Sequence, residues 1–268
     1  MPTRTLREKP RHPAGRIVSL APSATSILCE IGARKLLVGV SKWCANVAPV
    51  ETLPKFGDFW HLEEVSAIHD LRPDLVIGSV PFRAEAIAKL LEQPLNFLAL
   101  HPQTLLQIGR DIRQLGALTG RVSAAESLVS KMSKEFAGAG KRSERKRRLR
   151  VYSEAWPNPR IASPPWVAEL FAFADVQFVP KAGDRVTDEE VAQAKPDVIL
   201  LAWAATGSKS KLQSAYDVSS WKDVPAIRNR HVFVVQDELL NTPGPPLLKG
   251  LEKVERIFEQ VRKGLPQS

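Results

Sequence analysis

One phrase occurs twice in this chain: Leu71-Arg-Pro-Asp-Leu-Val-Ile-Gly78 in the first half and Ala194-Lys-Pro-Asp-Val-Ile-Leu-Leu201 in the second. A Pro-Asp turn leading directly into a short, wholly apolar run reads as the start of a buried parallel strand with helices over both faces. Two such strands predict two similar α/β lobes. Two lobes predict a cleft, because an open α/β sheet binds its ligand just beyond the carboxyl ends of its strands. Those positions are Ser79-Val-Pro-Phe-Arg83 and Ala202-Trp-Ala-Ala-Thr206.

The 268 residues, 44% hydrophobic and 25% charged, suffice for two lobes with real cores and exclude disorder as the main state. The formal charge of +9 is concentrated in Lys141-Arg-Ser-Glu-Arg-Lys-Arg-Arg-Leu-Arg150 and the first sixteen residues. No nucleic-acid motif accompanies it, so the run reads as a solvated helix end and no nucleic-acid partner is expected. No apolar stretch reaches the ~20 residues of a membrane span. Residues 1–15 are basic but lack the apolar core of a secretory signal, which as written predicts a cytoplasmic chain. Two cysteines cannot make a disulfide framework. Cys29 falls in an apolar helical stretch and reads as core, whereas Cys44 lies in a loop near the predicted cleft.

Along the chain, Arg16–Ala21 reads as a first strand and Pro22 to Ile31 as a helix capped by Ser23 and ended by Gly32. Strands at 36–41, 75–79 and 95–100 and a helix at 83–91 complete the first lobe. Apolar residues at helical spacing from Leu105 to Phe136, broken only at Thr119-Gly120, give two helices. The second is expected to run about 25 residues and to tie the lobes together. A strand at 149–153, helices near 167–173 and 187–194, strands at 198–202 and 231–235, and a helix from about Pro246 to Lys263 make a second lobe. The expected divisions are a tail at 1–15, an N-terminal lobe at 16–118, a connecting long helix at 119–147 and a C-terminal lobe at 148–268.

The chain lacks a Gly-x-x-x-x-Gly-Lys-Ser/Thr loop, a Gly-x-Gly-x-x-Gly turn, a Gly-x-Ser-x-Gly elbow and a His-Glu-x-x-His helix. No nucleophile is paired with a base, so neither catalysis nor a catalytic cofactor is expected. The five histidines show no metal-ligand spacing, and His61 and His101 are the nearest to metal candidates. Tryptophan is more telling. Trp43, Trp60, Trp156, Trp166 and Trp203 all fall in or beside predicted loops after strands, and converging aromatics suit a large, flat, partly apolar ligand. Asp58, Arg83 and Glu154 are charged residues on the same rim. Any one tryptophan could equally plug a loop, and surface charges in loops are often idle.

Arg16-Ile-Val-Ser-Leu-Ala-Pro-Ser-Ala-Thr-Ser-Ile-Leu, Leu37-Val-Gly-Val-Ser, Leu53-Pro-Lys-Phe-Gly57, the first Pro-Asp phrase and Trp221-Lys-Asp-Val-Pro-Ala-Ile-Arg-Asn together resemble the helical-backbone substrate-binding proteins of ABC importers for cobalamin and ferric siderophores. Ser153-Glu-Ala-Trp-Pro-Asn-Pro-Arg-Ile-Ala, Trp166-Val-Ala-Glu-Leu170, Ala202-Trp203 and Asn241-Thr-Pro-Gly-Pro-Pro246 look most like the cobalamin-binding branch. The resemblance implies two Rossmann-like lobes joined by a single long helix, with a corrinoid in the cleft between them and no catalysis. The ligand would meet Pro22, Ser23, Trp43, Cys44, Asp58, Phe59, Trp60, Arg83, Glu154, Trp156, Trp166 and Trp203. It also implies a monomer, a periplasmic or membrane-anchored location, and a permease partner.

Two features depart from that pattern. No signal or lipoprotein peptide is visible, and Ser66 stands where family members carry a transporter-docking glutamate, with Glu63 and Glu64 displaced by about a turn. Three other readings stay open. A ferric-siderophore or haem receptor would use basic residues such as Arg83, Arg160 and Arg185. A cytoplasmic corrinoid-handling protein or enzyme would use Cys44 or a histidine. A nucleic-acid role would use residues 141–150.

Overall fold

A computed structural model describes residues 14–57, 62, 65–139, 148–203 and 212–264. The chain forms two compact units, Met1–Leu100 with Arg113–Glu126, and His101–Ile112 with Ser127–Ser268.

The first unit holds a parallel sheet of β1 (Ile17–Ser19), β2 (Leu37–Ser41), β3 (Lys55–Phe56), β4 (Leu75–Ser79) and β5 (Phe97–Leu100), in the order β3-β2-β1-β4-β5. Helices α1 (Pro22–Glu30), α2 (Val65–Asp70) and α3 (Ala84–Leu91) fill the crossovers that parallel pairing requires. Val18, Leu20, Ile68, Val76 and Leu90 form its core. The chain runs outward from β1 to β3 and then returns to the far side of β1 for β4, so the order reverses between β1 and β4.

The second unit repeats the device. β6 (Leu149–Pro157) is central, with β9 (Val198–Leu201) and β10 (Val232–Val234) parallel to it on one side. On the other side its first half pairs with parallel β8 (Val176–Phe178) and its second half with antiparallel β7 (Arg160–Ala162). Here the order reverses between β6 and β9. Helices α6 (Pro165–Phe173), α7 (Asp188–Ala194), α8 (Leu212–Tyr216), α9 (Pro225–Arg228), α10 (Asp237–Leu240) and α11 (Pro246–Gly264) surround it.

The repeated Pro-Asp phrase has one physical explanation in both units. Asp74 Oδ2 accepts from the backbone N–H groups of Gly15 and Arg16, each at 2.8 Å, and the Asp74 N–H donates to Arg16 O at 2.8 Å. Asp197 Oδ2 likewise accepts from Arg150 N at 2.9 Å, and Asp197 N donates to Arg150 O at 2.7 Å. Each aspartate therefore clamps the start of its own strand to the start of the neighbouring central strand, satisfying backbone donors that no ladder bond reaches.

Helices α4 (Leu105–Leu118) and α5 (Val122–Ala139) follow the periodicity, and each passes from one unit into the other. Between them Thr119 Oγ1 donates to Leu115 O at 2.7 Å, and Gly120 takes φ +67°, a left-handed stop that glycine adopts without strain. The 18 residues of α5 span about 27 Å. The rest of the expected 25-residue helix, and most of the basic run, lies outside the described residues. No helix among the described residues is long and apolar enough to cross a membrane.

Two local expectations need correction. Ser23 is not a cap: Ala21 takes the N-cap position in extended geometry and Pro22 opens the helix, where its fixed φ and missing N–H cost nothing. Ser23 is buried in the first turn. The strand expected to end at Ser153 runs on through Glu154 and Trp156 to Pro157, because the Pro157-Asn158-Pro159 segment turns a hairpin into β7 instead of opening a loop.

Candidate functional site

Topology brings the carboxyl ends of the first unit's parallel strands to one edge, and the β1/β4 reversal opens the crevice where such sheets bind ligands. Pro22, half-buried, follows β1, and Lys42 and Trp43 follow β2. Trp43 is half-buried, and the Lys42 ammonium stands 4.9 Å from its ring centroid, a cation–π contact. At the end of β4, Ser79 Oγ is buried with no hydrogen-bond partner among the described residues. Arg83 occupies the N-cap position of α3 and is exposed, 3.9 Å from Glu85.

Cys44, expected in a loop by the cleft, instead lies in a 3-10 turn and is fully buried. Its Sγ stands 3.0 Å from Thr25 Oγ1 and 3.1 Å from Ser41 Oγ, while Thr25 Oγ1 also reaches Ser19 Oγ at 2.8 Å. Burial pushes the thiol above its usual range, against the hydrogen bonds from Ser41 and Thr25. The sequence hides this cluster because three strand or helix ends must fold together to make it.

In the second unit the reversal places the end of β9 against the middle of β6, where Leu201 pairs with Glu154. Strand alternation puts Tyr152 and Glu154 on one face of β6, and a register shift against β7 between Glu154 and Trp156 interrupts the alternation before Trp156. Trp156 is 40% exposed and donates its indole N–H to Asn158 O at 2.9 Å. Glu154, expected on a solvated rim, is fully buried and receives three donors. Trp203 Nε1–H reaches Oε1 at 2.8 Å, while Tyr152 O–H at 2.8 Å and an Arg160 N–H at 2.9 Å reach Oε2. Three hydrogen bonds, one from a cation, are what a buried carboxylate requires.

Arg160 continues the network. Its Nε donates to Asp188 Oδ1, and its guanidinium lies 4.5 Å from the Trp221 ring centroid. Trp221 in turn donates to Asp188 O at 2.9 Å and meets Tyr152 edge-on, with centroids 6.1 Å apart. Burial opposes the Arg160 charge, but the Glu154 and Asp188 carboxylates outweigh it and raise the pKa. Burial, reinforced by the Glu154 charge, holds the Tyr152 hydroxyl above its usual range, so it remains a donor. Tyr152, Asp188 and Trp221 were not among the expected site residues. The signal that could have found Tyr152 is the period-two spacing with Glu154, legible once β6 is extended.

Trp203 is 9% exposed at the end of β9. Beside it Asn241 Nδ2 donates to Ala202 O at 2.6 Å, leaving Asn241 Oδ1 buried with no partner among the described residues. Trp166 sits in the first turn of α6, 3% exposed, with its indole N–H donated to Leu240 O at 2.9 Å. It is a core residue that anchors α6 to the end of α10. Asp58, Phe59, Trp60, His61, Glu63 and Glu64 lie outside the described residues. Among the described residues no group of three His, Cys, Asp or Glu side chains is placed to hold a metal ion, and His101 is exposed.

Comparison with known proteins agrees with this architecture. The family described as periplasmic binding protein matches residues 17–239. An uncharacterized ABC transporter substrate-binding lipoprotein, YvrC of Bacillus subtilis, is 26% identical over 97% of this chain and 83% of its own length. A vitamin B12-binding protein of Vibrio campbellii is 24% identical over 94% of this chain and 92% of its own. Among solved structures, the periplasmic heme-binding protein RhuT from Roseiflexus sp. superposes with a TM-score of 0.77 at 23% identity, over 93% of this chain and 99% of that one. With a family match across most of its length, the chain belongs to the periplasmic binding proteins, as a substrate-binding protein of the ABC-importer type.

Proposed function

We propose that this protein binds a corrinoid of the cobalamin type and delivers it to an ABC permease, with no chemical step of its own. The observation that carries the reading is that each unit has, at its strand ends, a tryptophan with open ring surface, Trp43 after β2 and Trp156 near the end of β6, and a buried polar atom lacking a partner among the described residues, Ser79 Oγ at the end of β4 and Asn241 Oδ1. A corrin is a large, partly apolar disc fringed with amides. Aromatic faces suit the disc, and Ser79 Oγ and Asn241 Oδ1 suit the amides, since an acceptor left buried without a donor costs about 1–3 kcal/mol. The similarity to a vitamin B12-binding protein along 94% of the chain supports the same ligand class.

At the first unit's strand ends the residues proposed for ligand contact are Pro22, Trp43 and Arg83, and at the second unit's strand ends they are Trp156, Trp203 and Asn241. A haem is the second reading, favoured by Lys42 and Arg83 at the first unit's edge, where propionates would find cations. A thermal-shift series with cyanocobalamin, haemin and a ferric catecholate separates them. Stabilisation by cyanocobalamin alone supports the corrinoid, whereas stabilisation by haemin alone replaces it with the second reading.

A further inference from the structure

Arg160, at the start of β7, holds two carboxylates at once, Glu154 Oε2 and Asp188 Oδ1, with its guanidinium over the Trp221 ring. It is only 16% exposed and is thus fixed on three sides. Glu154 has no freedom left. With Oε2 held by Arg160 and Tyr152, Oε1 is aimed at the indole N–H of Trp203. We propose that Arg160 is a positioning residue for Trp203, acting through Glu154 and setting ligand affinity without touching the ligand. The affinity part rests on reading the β6/β9 edge as a binding surface.

The donor and acceptor inventory makes this testable in an unusual direction. Glutamine at 154 would offer one acceptor and one donor in place of two acceptors. A guanidinium can only donate, so the amide oxygen must turn to Arg160 and the amide nitrogen must face Trp203, donor against donor. Replacing Arg160 as well removes that demand. A tyrosine hydroxyl both donates and accepts, so the amide can give its N–H to Tyr152 and return its oxygen to Trp203. One substitution therefore displaces Trp203, and a second, which deletes a buried cation, restores it. A role confined to stability predicts the opposite, a double variant worse than either single one.

The experiment follows the Trp203 indole N–H resonance in ¹H–¹⁵N spectra, assigned with Trp203→Phe, and the cyanocobalamin Kd, in wild type, Glu154→Gln and Glu154→Gln/Arg160→Met. The expected result is a shifted Trp203 resonance and a Kd raised about tenfold in Glu154→Gln, with both returning close to wild type in the double variant. As a second route, should the double variant not fold, Glu154→Gln is expected to cost no affinity in a Trp203→Phe background, which has no indole N–H to clash. An unmoved Trp203 resonance in Glu154→Gln, or a double variant no better than the single one, overturns the proposal. If wild type fails to bind cyanocobalamin, the corrinoid reading falls and the resonance alone decides the positioning role.

Discussion

Trp203 donates its indole N–H to Glu154 across 2.8 Å, fastening the end of β9 to the middle of β6 by side chains where the backbone ladder is already ending. Because Glu154 is fully buried, that donor helps keep an ion inside the protein. Trp203→Phe keeps most of the ring but withdraws the hydrogen bond. Its expected cost is about 1–3 kcal/mol of unfolding free energy, read from urea titrations. An unchanged midpoint would mean that water replaces the indole and that the carboxylate is not enclosed.

Trp43 and Trp156 carry the proposed contact surface and little of the core. Trp43→Ala and Trp156→Ala are each expected to weaken cyanocobalamin binding by about 1–3 kcal/mol, the usual range for an aromatic hot spot. Their unfolding midpoints should stay near wild type. Trp166→Ala is the contrast: its ring is buried beneath α10, so it should lose about 3–5 kcal/mol of stability. Loss of stability without loss of affinity in the Trp43 and Trp156 variants would move both out of the site.

The paired aspartates should differ in weight. Asp197 is 4% exposed, whereas Asp74 is exposed to solvent that can replace it. Asp197→Ala is expected to cost about 2–3 kcal/mol and Asp74→Ala about 1 kcal/mol, by chemical denaturation at neutral pH. Equal costs would show that the clamp does not depend on burial.

Asp111 on α4 supplies a pH signature. Burial raises its carboxyl to about 6, with Arg110 pulling the other way. Between the ordinary carboxylate range near 4 and pH 6 the folded state holds more of this proton than the unfolded state, so stability from this group falls as pH rises through that window. Asp111→Asn should therefore be more stable than wild type at pH 7.5, by roughly 1 kcal/mol after allowing for partial solvent screening, with the gap closing by pH 4. A gap that persists at pH 4 would assign the effect to packing and not to ionisation.

The sequence is legible where one short phrase decides the outcome. The repeated Pro-Asp run marks β4 and β9, the apolar spacing marks α4 and α5, and Gly32 at φ +74° ends α1 as expected. It is least legible where burial reverses a residue's usual habit. Glutamate defaults to solvent, so Glu154 reads as rim until Arg160 from β7 and Trp203 from the segment after β9 are brought around it, with Tyr152 of its own strand. Trp166 follows two prolines and reads as loop, yet Pro165 opens a helix there. Short β3, β7 and β8 carry too few residues for a periodic signal and exist because neighbouring strands offer them hydrogen bonds.

The most direct test of the account is a calorimetric titration of the purified protein with cyanocobalamin at moderate salt. Saturation at one equivalent with sub-micromolar affinity is the predicted result. Absence of heat and of saturable tryptophan quenching would contradict a corrinoid as the ligand.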